Sequence, residues 1–233
     1  MSALTEALLR LFYPKHCFLC NRVILPRRHL CADCAQQAPY ILPPVCDRCG
    51  RGEDVCICGG HRHHYERCVS AFYHDGVAQT GIYTLKSEDL AVTVDGFAAE
   101  MAEVVRREYG GIPFDLVTAV PLHPADRRAR GFDQAARLGQ ALAVYLQLPY
   151  VPLLKKITRT QPQKTLTAIQ RSGNLLGVFD VIGGVEDKTV LLVDDVITTG
   201  TTLDECAKML KIYGAAEVYA VSAAAAVLKK DGE

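Results

Sequence analysis

The chain has 233 residues, 49% of them hydrophobic, which is enough for one full domain and a smaller second one. Lys plus Arg and Asp plus Glu each total 26, so bulk charge gives no attraction to nucleic acid or membrane. No apolar run approaches the roughly 20 residues of a membrane span, and the opening MSALTEALLRLFYP favours a short amphipathic helix over a signal peptide. We expect a cytoplasmic globular protein.

Local charge is less even than the total. Residues 10–67 carry nine basic and five acidic side chains, and residues 123–171 carry nine basic against two acidic. Such asymmetry is consistent with a face that meets phosphates, and equally with an ordinary solvated surface.

Eight of the ten cysteines form four close pairs near the start of the chain. In a reducing cytosol, paired thiolates at tight turns favour structural zinc, with four thiolates closing each tetrahedral site. Residues 15–67 have few apolar runs, so metal ligation must supply much of their folding free energy. The predicted ligands are Cys17, Cys20, Cys31, Cys34, Cys46, Cys49, Cys56 and Cys58.

The spacing permits sequential or interleaved pairing of these cysteines into two zinc sites. We favour the sequential arrangement because it closes shorter loops at a lower entropy cost. Two alternatives stay open: a disulfide framework, and a histidine ligand from the HRHHY cluster (His61, His63 and His64) in place of a cysteine.

From Cys68 onward the pattern changes to alternating strands and helices, so we place a domain boundary between residues 1–67 and 68–233. Strands are predicted at VSAFYHD, FDLVTAVPLH, YVPLLKKI, GVFDVI, TVLLVDD and EVYAVSAAAAV. Helices are predicted within GVAQTGIYTLK, LAVTVDGFAAEMAEVVRREYG, FDQAARLGQALAVYLQ and GTTLDECAKMLKIYGA. This order predicts an α/β fold with a doubly wound parallel sheet.

Residues 158–176 are polar, basic and only weakly periodic. A stretch of this length without regular periodicity is typical of a functional loop or a linker.

The segment VLLVDDVITTGTT places two adjacent carboxylates after a buried strand, Val190 to Val193, and before a helix. Ligands of doubly wound sheets bind beyond the carboxyl ends of the strands. The backbone N–H groups of a helix N-terminus bind phosphate, and neighbouring carboxylates can accept hydrogen bonds from the vicinal hydroxyls of a sugar. The sequence therefore predicts a ribose 5-phosphate site, and the alternative is an acidic loop that only caps the helix.

VLLVDDVITTGTT resembles the signature of type I phosphoribosyltransferases, which bind 5-phosphoribosyl 1-pyrophosphate with Mg²⁺. Together with the cysteine pairs, VPLH, RARGFDQAARLGQALA and RTQPQKTLTAIQRSGNLLGVF, the chain is similar over nearly all its length to the ComF family. The resemblance implies a double zinc ribbon followed by a phosphoribosyltransferase-like domain. Some members of that family serve DNA uptake in natural competence.

The resemblance also implies roles for individual residues. Asp194 and Asp195 would hold the ribose hydroxyls, and segment 159–174, with Lys164 and Arg171, would close over the site. Lys86 and Arg127 would act in catalysis, with Arg128 and Arg130 nearby. The 5-phosphate would contact Thr198, Thr199, Gly200, Thr201 and Thr202, and the pyrophosphate would contact Pro121, Leu122 and His123.

Two functions follow from these features. The first is a phosphoribosyltransferase, a glycosyltransferase whose acceptor no motif identifies. The second is a competence protein that binds single-stranded DNA through its zinc ribbons and basic segment and cooperates with other competence proteins, while the pocket senses or regulates. The absence of Trp and the scarcity of aromatic residues in the basic stretches weaken the second.

Overall fold

The computed structural model describes residues 14–25, 28–56, 58–59, 62–87, 91–158 and 177–227. The predicted N-terminal helix and the predicted closing loop, with Lys164 and Arg171, lie outside these residues. Within the described part of the chain, no helix is both long and apolar enough to cross a bilayer.

The main sheet is parallel, as the alternating pattern predicts. Its strands in the described residues are β1 (Cys68–Tyr73), β2 (Leu116–Ala119), β5 (Thr189–Ile197) and β6 (Glu217–Ala225). They lie in the order β1, β6, β5, β2. All three pairings are parallel, and the central strands are buried on both faces.

Helices cover both faces of this sheet. Leu191 and Val193 face a hydrophobic cluster that contains α2 (Gly76–Ser87), α3 (Ala91–Glu108) and α5 (Gln134–Leu146). Val190 and Leu192, the alternate residues of β5, face a second cluster that contains α6 (Thr201–Ile212). The two-residue period of the strand thus produces the doubly wound, three-layered arrangement.

The strand predicted at YVPLLKKI is divided in two by Pro152. Tyr150 bridges Val117 at the β2 edge of the main sheet. Beyond the proline, β3 (Leu154–Lys156) pairs antiparallel with β4 (Phe179–Val181) in a separate ladder. The prediction of a strand at GVFDVI is therefore right, but the strand lies outside the main sheet. Proline, which lacks an N–H, cannot continue a ladder.

The cysteine-rich segment packs directly on the α/β domain. It contains α1 (Ala32–Gln37) and a 3₁₀ turn (Glu53–Val55). The ring of Phe18 is 1% exposed and makes an edge contact with Phe97 at 4.9 Å between centroids. The same ring occupies the space where Gly96 would carry a Cβ. A glycine in the middle of α3 is therefore explained by the close approach of the zinc ribbon.

We expect Gly96→Ala to lower the free energy of unfolding by about 1–3 kcal/mol, because its methyl group would overlap the Phe18 ring. Alanine is ordinarily the better helix former by about 0.5–1 kcal/mol, so helix propensity alone predicts the opposite sign. Urea unfolding of the holoprotein measures the change. Gly96→Ala should cost less in a Phe18→Ala background than in wild type, because Phe18→Ala removes the ring atoms that lie closest to the new methyl group. Equal losses in both backgrounds would contradict the proposed overlap.

Candidate functional site

The adjacent aspartates lie where the main sheet opens. β5 pairs with β6 as far as Ile197 and Ala225, whereas β2 pairs with β5 only as far as Val193. Asp194 and Asp195 therefore lie within β5, which continues two residues beyond the predicted strand TVLLVDD, to Ile197. The edge of β5 next to them is unpaired because β2 ends at Ala119 and its chain turns away.

The two carboxylates point to opposite faces of β5, since side chains alternate along a strand. Asp195 extends toward α2, where its Oδ2 lies 3.1 Å from the Nζ of Lys86. Asp194 follows Leu192 on the α6 side, and its Oδ1 accepts a hydrogen bond from the Asp195 N–H at 2.8 Å. Burial and the neighbouring charge of Asp195 raise the pKa of Asp194 well above its ordinary value.

Two cavities meet at Asp194. The first, which we call the threonine lobe, has a volume of about 290 Å³ and is lined by residues that include His74, Lys86, Asp194, Thr198, Gly200 and Thr202. The second, the arginine lobe, is also about 290 Å³ and is lined by residues that include Lys86, Pro121, Leu122, Arg130, Gln134, Lys156, Asp194 and Asp195. Lys86, Asp194, Val196 and Thr202 line both, so the lobes form one cleft.

The threonine lobe is closed by the start of α6. Gly200 has φ +82°, a left-handed conformation that favours glycine, and no side chain caps the helix there. The first-turn N–H groups and the helix dipole therefore face the lobe without a side-chain acceptor. Thr198 and Thr202 line the lobe, whereas the hydroxyls of Thr199 and Thr201 hydrogen-bond to each other at 2.8 Å.

The arginine lobe is closed by the turn after β2. The Leu122 N–H donates to Asp133 Oδ2 at 3.0 Å, and Asp133 Oδ1 caps α5 by accepting from the Ala136 N–H at 3.1 Å. Asp133 thereby joins the turn to the next helix. His123 caps α4 (Pro124–Arg130) by accepting from the Ala125 N–H, and it does not line either lobe.

The basic residues of α4 divide between two places. Arg130 lines the arginine lobe, as predicted for a residue near the site. Arg127 lines an adjoining cavity of about 270 Å³ with Tyr150 and Lys155, which shares Pro121, Leu122 and Lys156 with the arginine lobe but includes neither Asp194 nor Asp195. The catalytic role assigned to Arg127 stays a prediction, and the structure brings Arg130, not Arg127, together with the aspartates.

Gln134 is a site residue that sequence reasoning missed. Its side chain is 2% exposed, and its Oε1 accepts from Arg130 Nη1 at 3.2 Å. Its buried Nε2 has no hydrogen-bond partner within the described part of the chain. Gln134 is one of the residues that line the arginine lobe. An unpaired buried amide is costly, so this donor is available to a ligand. Gln134 lies within RARGFDQAARLGQALA, but a sequence does not reveal its burial.

Lys156 is a second such residue. Its Nζ lies 5.8 Å from the centroid of the Phe179 ring, and burial lowers its pKa below the usual value. It lines the arginine lobe beside Asp194, so β3 contributes a cation to the cleft.

The cysteines gather into two groups of four, which confirms the sequential pairing and the double zinc prediction. Within each group the ligand atoms lie within 4.8 Å of one another. Four Zn–S bonds of about 2.3 Å form a tetrahedron with S···S edges of about 3.8 Å. The spacings of 3.7 Å for Cys20–Cys31 and for Cys46–Cys58 fit that geometry, so the sites suit structural zinc.

Neither the disulfide framework nor a ligand from His63 or His64 is found among the described residues, and His61 lies outside them. All ten cysteines are free of disulfides, and the second group is complete with Cys46, Cys49, Cys56 and Cys58. His63 and His64 lie against Asp204 of α6 instead, at 3.6 Å and 3.0 Å from its Oδ1.

Comparisons with known proteins agree with a cysteine-rich segment followed by an α/β domain. Residues 8–69 match a double zinc ribbon domain, and residues 130–232 match a phosphoribosyl transferase domain. The DNA utilization protein YhgH of Salmonella typhimurium is 29% identical over 206 residues, which cover 87% of this chain and 86% of that protein. Competence protein F of Haemophilus influenzae is 35% identical over 108 residues, 45% of this chain and 47% of that one.

Among solved structures, a glutamine phosphoribosylpyrophosphate amidotransferase from B. subtilis superimposes on 61% of this chain and 27% of its own. The sequence identity is 23% and the TM-score is 0.39, a likeness too small to bear on function.

We expect Asp194→Asn to raise the thermal stability of the ligand-free protein. Because the pKa of Asp194 is raised, the folded chain holds a proton that the unfolded chain releases, so stability falls as pH rises above the ordinary carboxyl value. The amide removes that cost and keeps an oxygen for the Asp195 N–H. Since about 1 kcal/mol shifts the melting temperature by ~2–4 °C in a chain of this size, we expect a gain of a few degrees at pH 8.

Thermal scans from pH 4 to pH 8 measure this effect, and the gain should shrink as pH falls. Asp187→Asn, an exposed carboxylate away from the cleft, serves as the control. A gain that is the same at every pH, or that Asp187→Asn reproduces, would argue against the electrostatic explanation.

Proposed function

The chain belongs to the ComF family, and from this premise we propose that it binds 5-phosphoribosyl 1-pyrophosphate, or its ribose 5-phosphate part, in the two-lobed cleft around Asp194. The observation that carries the proposal is the position of Asp194 at the junction of the lobes. An uncapped helix start lies on one side and a basic, amide-bearing lobe on the other.

The threonine lobe suits the 5-phosphate. The first-turn N–H groups of α6 and the helix dipole favour a dianion, and the hydroxyls of Thr198 and Thr202 add donors. The small size of the lobe, about 290 Å³, matches a phosphate and an adjoining sugar better than a larger group. In this arrangement Thr199 and Thr201 support the loop through their mutual hydrogen bond.

The aspartates suit the ribose. Vicinal hydroxyls donate to carboxylates, and a carboxyl with a raised pKa, such as Asp194, can also donate while it is protonated. Lys86 holds Asp195 and lies along both lobes, so it balances one of the two adjacent charges.

The arginine lobe suits the pyrophosphate. Arg130, Lys156 and the unpaired Nε2 of Gln134 supply donors for a polyanion. The Leu122 N–H already donates to Asp133, so side chains provide most of these contacts.

We propose that Mg²⁺ binds as a complex with the ligand. Among the described residues, the groups of three or more close metal-ligating side chains are the two cysteine clusters, which do not suit a hard cation. The chemistry that Mg²⁺ supplies when bound is neutralisation of the pyrophosphate charge.

Transfer of the phosphoribosyl group is the reaction that such a cleft would support. The chain would hold the sugar through its hydroxyls and stabilise the departing pyrophosphate with fixed cationic groups. Asp194 and Asp195, which both line the arginine lobe, would supply negative charge near the positive charge that develops on the sugar. The acceptor is left unassigned, because no described residue selects one base over another.

A second candidate function is binding of single-stranded DNA, which the names of the relatives favour: a DNA utilization protein and a competence protein. The exposed Arg127 and Arg128 of α4 offer contacts to phosphates. In this hypothesis the cleft senses phosphoribosyl pyrophosphate and regulates DNA binding.

Arg130 and Arg127 form a matched pair for testing the cleft. We expect Arg130→Gln to weaken binding of phosphoribosyl pyrophosphate with Mg²⁺ about tenfold, because it removes a charge-assisted contact of roughly 1.5 kcal/mol or more. Arg127→Gln should weaken binding less, because Arg127 lines the adjoining cavity and not the lobe that contains Asp194 and Asp195. Calorimetry with the purified holoprotein measures both, with Asp194→Asn combined with Asp195→Asn as the loss-of-binding reference. Equal effects of the two arginine variants would contradict the assignment of the arginine lobe.

The DNA hypothesis predicts a steep salt dependence. We expect the affinity for a single-stranded oligonucleotide to fall with salt. A plot of log affinity against log salt concentration should have a negative slope. In the double variant Arg127→Gln with Arg128→Gln, this slope should be shallower by about 0.7 for each phosphate contact that is lost. Fluorescence anisotropy across a salt series measures the slope. No binding at low salt, or a slope unaffected by the double variant, would remove this surface from consideration.

A further inference from the structure

A buried arginine joins the second cysteine group to the loop that closes the threonine lobe. Arg51, two residues after Cys49, is 2% exposed. Its Nε donates to the Ala226 carbonyl at 2.7 Å, and its Nη2 donates to the Thr198 carbonyl at 2.5 Å. The guanidinium therefore joins the residue that follows β6 to the loop that follows β5.

These hydrogen bonds fix the direction of peptide groups in the loop. Within a planar trans peptide, the carbonyl of Thr198 and the N–H of Thr199 point in opposite directions. A carbonyl held by Arg51 thus turns the following N–H away from the zinc ribbon. The planar guanidinium of arginine holds several N–H donors in a fixed geometry and can bind two carbonyl groups at once. The ammonium of lysine is a compact charge on a flexible stem and does not fix two carbonyls in this geometry.

The same cysteine-rich segment holds the far side of the loop. The His64 N–H donates to Asp204 Oδ1 at 2.5 Å in the first turn of α6. The Tyr65 hydroxyl donates to the Arg48 carbonyl at 2.7 Å and would lie 3.0 Å from a Cβ at Gly200. Loop 198–200 is therefore braced on both sides by residues from 48–65.

The position of Arg51 depends on the second cysteine group. The Cys46 N–H donates to the Arg51 carbonyl at 2.8 Å, and the Gly50 N–H donates to the Cys46 carbonyl at 3.0 Å. Both bonds belong to the turn that aims Cys46 and Cys49 at one metal. The first group lies elsewhere, because Cys17 and Cys34 belong to the hydrophobic cluster of α2 and α3.

We propose that the second zinc site, acting through Arg51, holds loop 198–200 in the conformation that binds phosphate, so that zinc retention and ligand binding reinforce each other. Arg51 is a positioning residue in this scheme, since it does not line the cleft. Coupling between two sites is reciprocal: if zinc favours ligand, ligand must favour zinc. The identity of the ligand rests on the proposed function, whereas the bracing of the loop does not.

Arg51→Met, Arg51→Lys and the control Arg48→Met test the proposal, because Arg48 is exposed on the same turn. Calorimetry with ribose 5-phosphate should give about tenfold weaker binding for Arg51→Met, a smaller loss for Arg51→Lys and no change for Arg48→Met. Inorganic pyrophosphate, which the proposed function assigns to the arginine lobe, should bind all variants equally, and all should keep two zinc ions. Equal weakening of both ligands would indicate general destabilisation and overturn the proposal.

Hydrogen exchange gives a test that needs no ligand. Amides of residues 198–204 should exchange faster in Arg51→Met than in wild type, while those of α3 should not. If wild type binds neither phosphate compound, the proposed function fails, yet this measurement still decides whether Arg51 braces the loop. Unchanged exchange would overturn the bracing whatever the ligand results.

The effect of ligand on zinc retention can be measured on the wild-type protein, so this test does not require that any variant folds. Under a chelator, alkylation of Cys46, Cys49, Cys56 and Cys58, mapped by mass spectrometry, should slow about tenfold when ribose 5-phosphate saturates the cleft. Alkylation of Cys17, Cys20, Cys31 and Cys34 should not change. Equal protection of both groups, or of neither in protein that binds ribose 5-phosphate, would contradict coupling through the second site.

Discussion

The cleft exists because two neighbouring strands of the main sheet end at different places. β2 stops pairing at Ala119, while β5 continues with β6 to Ile197. The residues of β5 after Val193 therefore border a space that β2 would fill if it continued. Both lobes open from this gap, and the turn after β2 and the start of α6 form their walls.

The zinc ribbon is part of the domain's packing and not a separate attachment. Phe18 packs in the cluster that contains α2 and α3, and Ile41 and Tyr65 pack in the cluster on the opposite side of the sheet. The cysteine-rich segment thus contacts both layers of helices. Such a segment has little apolar surface of its own, so zinc and the α/β domain together determine its structure.

Several groups in the cleft are unfavourable without a ligand. The pKa of Asp194 is raised by burial and by the charge of Asp195, and the Nε2 of Gln134 lacks a partner within the described residues. Each of these lowers the stability of the empty protein. Both residues line the same lobe of the cleft, and groups with raised pKa values or without partners concentrate at binding sites.

The sequence by itself determined the elements that depend on local pattern. The cysteine spacing predicted two zinc sites, and VLLVDDVITTGTT predicted an acid pair before a glycine-led helix. Hydrophobic periodicity predicted the parallel strands and the longer helices α2, α3, α5 and α6, but not the short helices α1 and α4. The division of YVPLLKKI at Pro152, the placement of Arg130 and not Arg127 in the cleft, and the burial of Gln134 and Arg51 were decided by tertiary structure. These features depend on which strand ends first and on contacts such as that between Arg51 and Ala226, 175 residues apart in the chain. Periodicity and spacing report only on near neighbours, so the sequence located the candidate site, while the packing of distant segments decided which other side chains line the cleft.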